Sequence, residues 1–254
     1  SKYIRNNVIF KDDYCFSRVT YAVHLLNEAN PMVYDIEVEN EHSFTAGSIG
    51  VHNCTVIDCD DSLDSINAAT SSIVKYISQR AGIGINGRIR ALSSEIRKGE
   101  AIHTGVIPFW KMFQAAVKSC SQGGIRGGAA TLFYPISHLE VESLLVLKNN
   151  RGVEDNRIRQ LDYGVQINKL MYQRLIEDKD ITLLSPHSVE GLYDAYFNDQ
   201  ELFEKLYLEA EANPLIPKKT IKATELFTLL MSERANTGRI YIMNTDHMNT
   251  HSSF

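Results

Sequence analysis

Cys54-Thr55-Val56-Ile57-Asp58-Cys59-Asp60-Asp61-Ser62-Leu63 begins as a β-rich run and closes on the start of a helix. Residues 54–58 read as a strand, and Asp61 or Ser62 caps a helix whose apolar face is Leu63, Ile66, Ala69, Ile73 and Ile77, ended by Gly82. A strand that passes directly into an amphipathic helix is the building unit of α/β architecture, and this texture continues along the chain.

Gly82-Ile83-Gly84-Ile85-Asn86-Gly87 follows, read as a glycine-rich loop leading to Arg88, Arg90, Arg97 and Lys98. Glycines let a backbone approach a phosphate closely, and arginines supply planar forks for its oxygens. The spacing is neither a Rossmann nor a Walker pattern, and a solvated loop is the more frequent source of such charges. A helix is expected over 108–119. It leads into Cys120-Ser121-Gln122-Gly123-Gly124-Ile125-Arg126-Gly127-Gly128, a loop with only Gln122 and Arg126 as strong hydrogen-bonding side chains. Further on, strands are expected at 129–135, 181–184 and 238–243, and helices at 139–147, 165–177, 188–197, 200–211 and 224–234. Pro214 and Pro217 break the chain, and residues 244–254 read as a polar tail.

Upstream lies a different kind of sequence. In Val51-His52-Asn53-Cys54, the Asn53 amide can attack its own main-chain carbonyl, His52 can protonate the departing amine, and the Cys54 thiolate can accept an acyl group. Before it, Tyr34, Ile36 and Val38 alternate with polar residues, the chain turns at Asn40, and apolar positions resume towards Ile49 and Val51. Residues 13–21 form another β-rich stretch. A surface hairpin with a chance His-Asn-Cys is the bland alternative. The run Pro31 to Cys54 nevertheless resembles, without a gap, the C-terminal splicing motifs of inteins: a V-Y-D-I-x-V strand, a His-x-Phe and a final His-Asn before Cys. The resemblance implies that residues 1–53 are a small all-β, Hint-type intein segment. In it Asp35 and His42 sit beside the scissile bonds, His52 assists cyclisation, Asn53 cyclises, and Cys54 is the first residue of the host protein. Nothing upstream of residue 31 offers a nucleophile with a Thr-x-x-His motif, so the segment is either the C-terminal piece of a split intein, with a complementary N-terminal half as its partner, or a truncated intein, and it cannot splice alone.

The 254 residues, 44% hydrophobic and 22% charged, can bury one large or two modest cores. A net charge of -5 gives no footprint for nucleic acid or an anionic membrane. No apolar run reaches the roughly 18 residues of a membrane span, and no signal peptide is evident. The cysteines Cys15, Cys54, Cys59 and Cys120 have no CxxC pairing, which points to a reducing cytoplasm and no metal site. The ends of the chain read as those of a fragment.

Residues 54–254 are similar throughout to the large, catalytic subunit of class I ribonucleotide reductase. The resemblance is carried by Asp61-Ser62-Leu63-Asp64-Ser65-Ile66-Asn67, by Ser78-Gln79-Arg80-Ala81-Gly82-Ile83-Gly84-Ile85-Asn86, by Lys118-Ser119-Cys120-Ser121-Gln122-Gly123-Gly124, by Leu147-Lys148-Asn149-Asn150-Arg151-Gly152 and by Thr237-Gly238-Arg239-Ile240-Tyr241. It implies the first portion of a ten-stranded α/β barrel. Cys54 matches the thiol that helps reduce the ribose 2′ carbon and ends in a disulfide. Asp61, Ser62, Leu63, Arg90 and Arg97 match the site of a deoxynucleotide or ATP effector. Cys120 to Gly128, with Gln122 and Arg126, matches the loop that carries effector identity to the substrate base.

The implied partners are a nucleotide substrate, a second large subunit and a small subunit whose metal supplies the radical; no cofactor is expected on the chain itself. Three departures stand out. One residue is missing between Asn86 and Gly87, so the first effector loop is expected to be distorted. Asp60 replaces a common glycine, and the sequence stops before the Asn-x-Cys-x-Glu finger loop. Two competing readings are a non-catalytic effector-binding and dimerising module, and a self-processing β domain on an unrelated cargo.

Overall fold

The computed structural model describes residues 55–250 apart from 80, 97–98, 123–125 and 152–153, together with four short strands before them. Two compact units are present, Ser1–Asn53 and Cys54–Phe254. In the first, β1 (Val8–Lys11) pairs antiparallel with β2 (Tyr14–Ser17), and β3 (Ser43–Ala46) with β4 (Ile49–His52). The second hairpin sets Ser43 opposite His52 and Ala46 opposite Ile49.

The second unit begins with β5 (Thr55–Cys59), α1 (Leu63–Ser78) and β6 (Ile83–Gly87). Ser62 settles the capping alternative: its side chain accepts from the Ser65 amide at 3.1 Å, leaving the neighbouring Asp61 carboxylate for other work. The helix ends at Ser78, earlier than the expected stop at Gly82; the Gly82 carbonyl instead accepts from Thr55 N at 2.9 Å. Ile66, Ala69, Ile73 and Ile77 are all buried, as the 3.6-residue spacing requires. Burying each isoleucine contributes about 1.5–3 kcal/mol, and Ile73→Ala would cost about 2–5 kcal/mol.

The segment read as a glycine-rich loop is a strand. In β6, Ile83, Ile85 and Gly87 are buried in alternation with Gly84 and Asn86, and the strand lies parallel to β5. Asn86 and Gly87 stand opposite Asp58 and Cys59, so the register runs unbroken through the place where a deletion was expected to distort the loop. Next come the small pair β7 (Glu95–Ile96) and β8 (Ala101–Ile102), then α2 (Ile107–Ser119), and the two-residue strands β9 (Ser121–Gln122) and β10 (Arg126–Gly127), paired antiparallel.

β11 (Ala130–Pro135) pairs parallel with β6, and α3 spans only Val141–Leu145. β12 (Asp162–Ile167) was not foreseen; its N-terminal half lies before the helix expected at 165–177 and its C-terminal half inside it. All but its first residue are buried, so it lacks the polar–apolar alternation that marks a half-exposed strand. The helix, α4, is confined to Lys169–Ile176. β13 (Asp180–Leu184), α5 (Leu192–Asn198), α6 (Gln200–Ala212), β14 (Lys218–Lys222), α7 (Ala223–Thr237), β15 (Ile240–Asn244) and α8 (Thr245–Thr250) complete the order. β14 and α8 correct the expected break and polar tail: Thr182 pairs with Thr220 in an antiparallel β13–β14 ladder that local proline content conceals.

The main sheet runs β15-β12-β11-β6-β5, every pair parallel. This is the expected α/β class with a parallel sheet. Trp110 from α2, Tyr134 from β11 and Tyr163 from β12 meet in its core with ring centroids 5.4 to 6.4 Å apart. Phe133 explains two glycines: a β-carbon at Gly164 would fall 2.3 Å from its ring, and one at Gly84 3.4 Å from it.

Candidate effector-binding site

The sheet places the end of β5, the start of α1 and the segment after β6 side by side. Asp61 sits just before the Ser62 cap, and Arg90 three residues beyond β6. The Asp61 Oδ1 accepts the Arg90 main-chain N–H at 2.8 Å, while Oδ2 accepts Nε at 2.6 Å and Nη2 at 2.6 Å. The Asp61 side chain is 6% exposed and that of Arg90 20%. Arg90 Nη1 also donates to the Glu95 carbonyl at 3.1 Å. The guanidinium is thus folded back on protein acceptors at the mouth of a cavity of about 390 Å³ that Arg90, Leu92, Ser94, Glu95 and His187 help to line. His187, an exposed imidazole that sequence reasoning did not single out, approaches Asp61 Oδ2 at 3.4 Å. It also lines a neighbouring cavity of about 480 Å³ with Asp60, Arg88, Tyr193 and Asp194.

Of the expected effector residues, the structure brings together Asp61, Ser62 and Arg90. Leu63 begins α1 beside them with its side chain largely exposed. Arg97 lies outside the described residues. Asp60 turns part of its charge inward: its Oδ1 accepts the Asp61 amide at 2.8 Å and its own amide donates to Ser65 Oγ at 2.9 Å. Arg88 bridges Asp58 at 3.3 Å and Asp194 at 2.5 Å, with its guanidinium 5.0 Å above the Tyr193 ring.

The segment from Leu92 to Val106 is fixed to the rest of the unit by residues that no local signal marks. The Ser185 hydroxyl accepts from Ala91 N at 3.0 Å. Glu140 Oε2 accepts from Leu92 N at 2.8 Å and Val106 N at 3.2 Å, bridging 48 and 34 residues of sequence. Burial raises the Glu140 carboxyl above its ordinary range, against the pull of those two amides.

At the glycine loop, Cys120 is half-buried and its sulfur accepts from Ser119 Oγ at 3.7 Å. β9 and β10 set Gln122 opposite Arg126 in a miniature hairpin, of which the backbone alone is described. Lys118 Nζ donates to the Gly128 carbonyl at 2.7 Å, holding the far end. Gly128 has no room for a side chain, since a β-carbon there would lie 2.2 Å from the Val117 carbonyl. Asp35, His42, Asn53 and Cys54 lie outside the described residues, and His52 is described only as the end of β4. Cys59, by contrast, is fully buried; burial first and Asp58 second push its thiol up to about 12. Among the described residues no three His, Cys, Asp or Glu side chains gather to hold a metal, and no helix is long and apolar enough to cross a membrane.

A parallel sheet of five strands with crossover helices defines an α/β unit, and the Asp61–Arg90 pair lies where its first strand passes into its first helix. The family described as "Ribonucleotide reductase, barrel domain" matches residues 52–254, and the chain belongs to that family. It is 71% identical over 203 residues to the ribonucleoside-diphosphate reductase subunit alpha of Haemophilus influenzae. It is 71% identical to the ribonucleoside-diphosphate reductase 1 subunit alpha of Escherichia coli, and 63% identical over 204 residues to the subunit alpha of Enterobacteria phage T4. Each alignment covers 80% of this chain and 27% of the relative.

Proposed function

We propose that residues 54–254 form the effector-binding region and first barrel portion of a ribonucleoside-diphosphate reductase large subunit. The observation that carries this is the Asp61–Arg90 pair at the start of α1, in a chain 71% identical to reductase alpha subunits. A helix N-terminus favours anions, Arg90 offers a fork for phosphate oxygens, and Asp61 offers acceptors for a ribose hydroxyl. The ligand class is a nucleoside triphosphate, read by Asp61, Ser62, Leu63, Arg90 and Arg97, with the 120–128 loop reporting its identity to the substrate base through Gln122 and Arg126.

In the reaction, the ribose 2′-hydroxyl leaves as water. Two electrons and two protons come from a pair of thiols, which become a disulfide; Cys54 supplies one thiol. The second thiol, the radical-generating metal of the small subunit and the second large subunit of a homodimer belong to the assembled enzyme. The test is equilibrium binding of dTTP or dATP to the full chain: saturable binding weakened at least tenfold by Arg90→Ala is expected. Equal binding by that variant would remove Arg90 from the site, and reduction of a ribonucleoside diphosphate would then be pursued without it.

We infer separately that residues 1–53 are the C-terminal segment of an intein. Supporting this are the uninterrupted motif from Val33 to Cys54, the β3–β4 hairpin with His52 opposite Ser43, and a family match that starts only at residue 52. Cys54 takes the acyl group from a thioester or ester on the first residue of the complementary half, whose thiol or hydroxyl leaves. Asn53, with help from His52, Asp35 and His42, cyclises to a succinimide and breaks its peptide bond to Cys54, and the freed Cys54 amine receives the acyl group by an S-to-N shift. With a complementing half, intact mass should show release of residues 1–53, and Asn53→Ala should abolish it.

A further inference from the structure

The geometry points to Glu140 as a positioning residue of the nucleotide site: one carboxylate oxygen ties both ends of the segment whose Glu95 carbonyl orients the Arg90 guanidinium. This rests on the effector reading above and deepens it. The segment leaves the sheet after β6, runs out past Leu92, folds as β7 and β8, and returns at Val106 into α2. Leu92 N and Val106 N, its outgoing and returning ends, both donate to Glu140 Oε2. The other oxygen faces the return leg, for a β-carbon built at Gly105 would lie 2.6 Å from Oε1. Gly105 has φ +90°, so a glycine there serves both the left-handed backbone and the close approach of the carboxylate.

The carboxylate itself stands on a rigid support. The Glu140 amide donates to Nδ1 of the buried His138 at 3.1 Å, Leu139 N donates to the Leu184 carbonyl at 2.9 Å, and Leu184 N to the Ser137 carbonyl at 2.8 Å. This turn is therefore stitched to β13 while its side chain reaches across to the segment. Within the segment, Ser93 N donates to the His103 carbonyl at 3.0 Å and His103 N to the Ser94 carbonyl at 2.8 Å, so that the legs stay together between the clamp and β7. Arg90 lies two residues before the clamped Leu92, with its Nη1 on the Glu95 carbonyl inside the clamped segment. Loss of the clamp would move the carbonyl on which the guanidinium is oriented without touching the nucleotide or Asp61.

The test uses the full chain and two readouts. Hydrogen exchange at Leu92 and Val106 reports the clamp without any ligand, and equilibrium binding of dTTP reports the site. Glu140→Ala should speed exchange at those two amides about tenfold or more and weaken dTTP about tenfold, the size expected on losing charge-assisted hydrogen bonds, while amides of β11 and β12 keep their protection. Glu140→Gln, which retains a side-chain oxygen, should recover most of both effects. Gly105→Ala displaces the same carboxylate from the segment side and should reproduce both effects, which keeps the test decisive should Glu140→Ala fold poorly. Unchanged exchange at Leu92 and Val106 would overturn the clamp. Faster exchange with unchanged dTTP affinity would overturn the positioning role. Absence of dTTP binding by the wild-type chain would instead sink the effector reading, and the nucleotide role of Glu140 with it.

Discussion

Asp61 and Arg90 hold each other through main chain and side chain at once: one carboxylate oxygen takes the Arg90 backbone amide at 2.8 Å, the other its Nε at 2.6 Å. This couples the start of α1 to the strand exit in a way that a simple ion pair does not. Arg90→Ala leaves a nearly buried carboxylate with the residue-90 amide and His187 beside it, and should cost about 2–3 kcal/mol, below the ~3–5 kcal/mol of fully buried pairs because Arg90 is partly exposed. Asp61→Ala also orphans the Arg90 amide, so it should cost at least as much. Urea denaturation of both singles and the double variant checks this; additivity of the two losses would deny the coupling.

His138 should give the fold an acid limit. Its imidazole is fully buried, and burial, partly offset by the Ile89 carbonyl, pushes it down from 6.5 to about 4. A depressed folded value means stability is fully present above pH 6.5 and is lost as pH falls towards 4, on the order of 3 kcal/mol in all. Carboxylates titrate nearby, so the measurement is the difference between wild type and His138→Asn, whose side-chain oxygen can still accept the Glu140 amide. The variant's stability should fall less between pH 7 and 4.5; parallel pH profiles would exclude His138 as the source.

Cys59 and Cys120 should separate by reactivity. The Cys59 thiol is fully buried and raised to about 12, so it should resist iodoacetamide at pH 8 until denaturant is added, whereas half-buried Cys120 reacts in the native chain. Peptide mapping after timed alkylation reads this directly. Native-state labelling of Cys59 at the rate of a free thiol would contradict its burial.

Phe133 and Gly164 make a lock between β11 and β12. Gly164→Ala drives a methyl to within 2.3 Å of the ring and should destabilise by about 1–3 kcal/mol, with Phe133→Leu in the same chain restoring part of the loss. Thermal melts of the single and double variants decide; an alanine variant as stable as wild type would mean that the strands part easily here.

How far the sequence carries depends on the range of the forces involved. Ser62 and the stripe from Ile66 to Ile77 are local signals, and α1 forms where the pattern placed it. β6 and β12 failed for opposite reasons. Glycines made the first look like a loop, although Gly84 lies under the Phe133 ring; burial of both faces removed the alternation from the second, and its end was absorbed into a helix. Pairing with neighbouring strands overrode both patterns. That Asp61, Ser62 and Arg90 lie together followed from the register of the family resemblance rather than from any local pattern. Glu140 and His187 were not, because each acts through partners far along the chain and neither sits in a distinctive local pattern.

The sheet order has a consequence for when the β12 edge is covered. β5, β6, β11 and β12 succeed one another along the chain and lie side by side, but β15 reaches β12 only after Ile167 to Ile240 has been traversed. That interval contains its own antiparallel pair, β13 with β14, and the helices α4 to α7. A nascent chain can therefore order four strands early, leaving the β12 edge unsealed until some seventy further residues emerge, which at roughly 5–20 residues per second is a window of several seconds. An early exposed edge of this length is where a chaperone or a neighbouring nascent chain would compete. Arrested chains ending before residue 240 should accordingly aggregate more than chains extended past residue 250, in which β15 covers that edge.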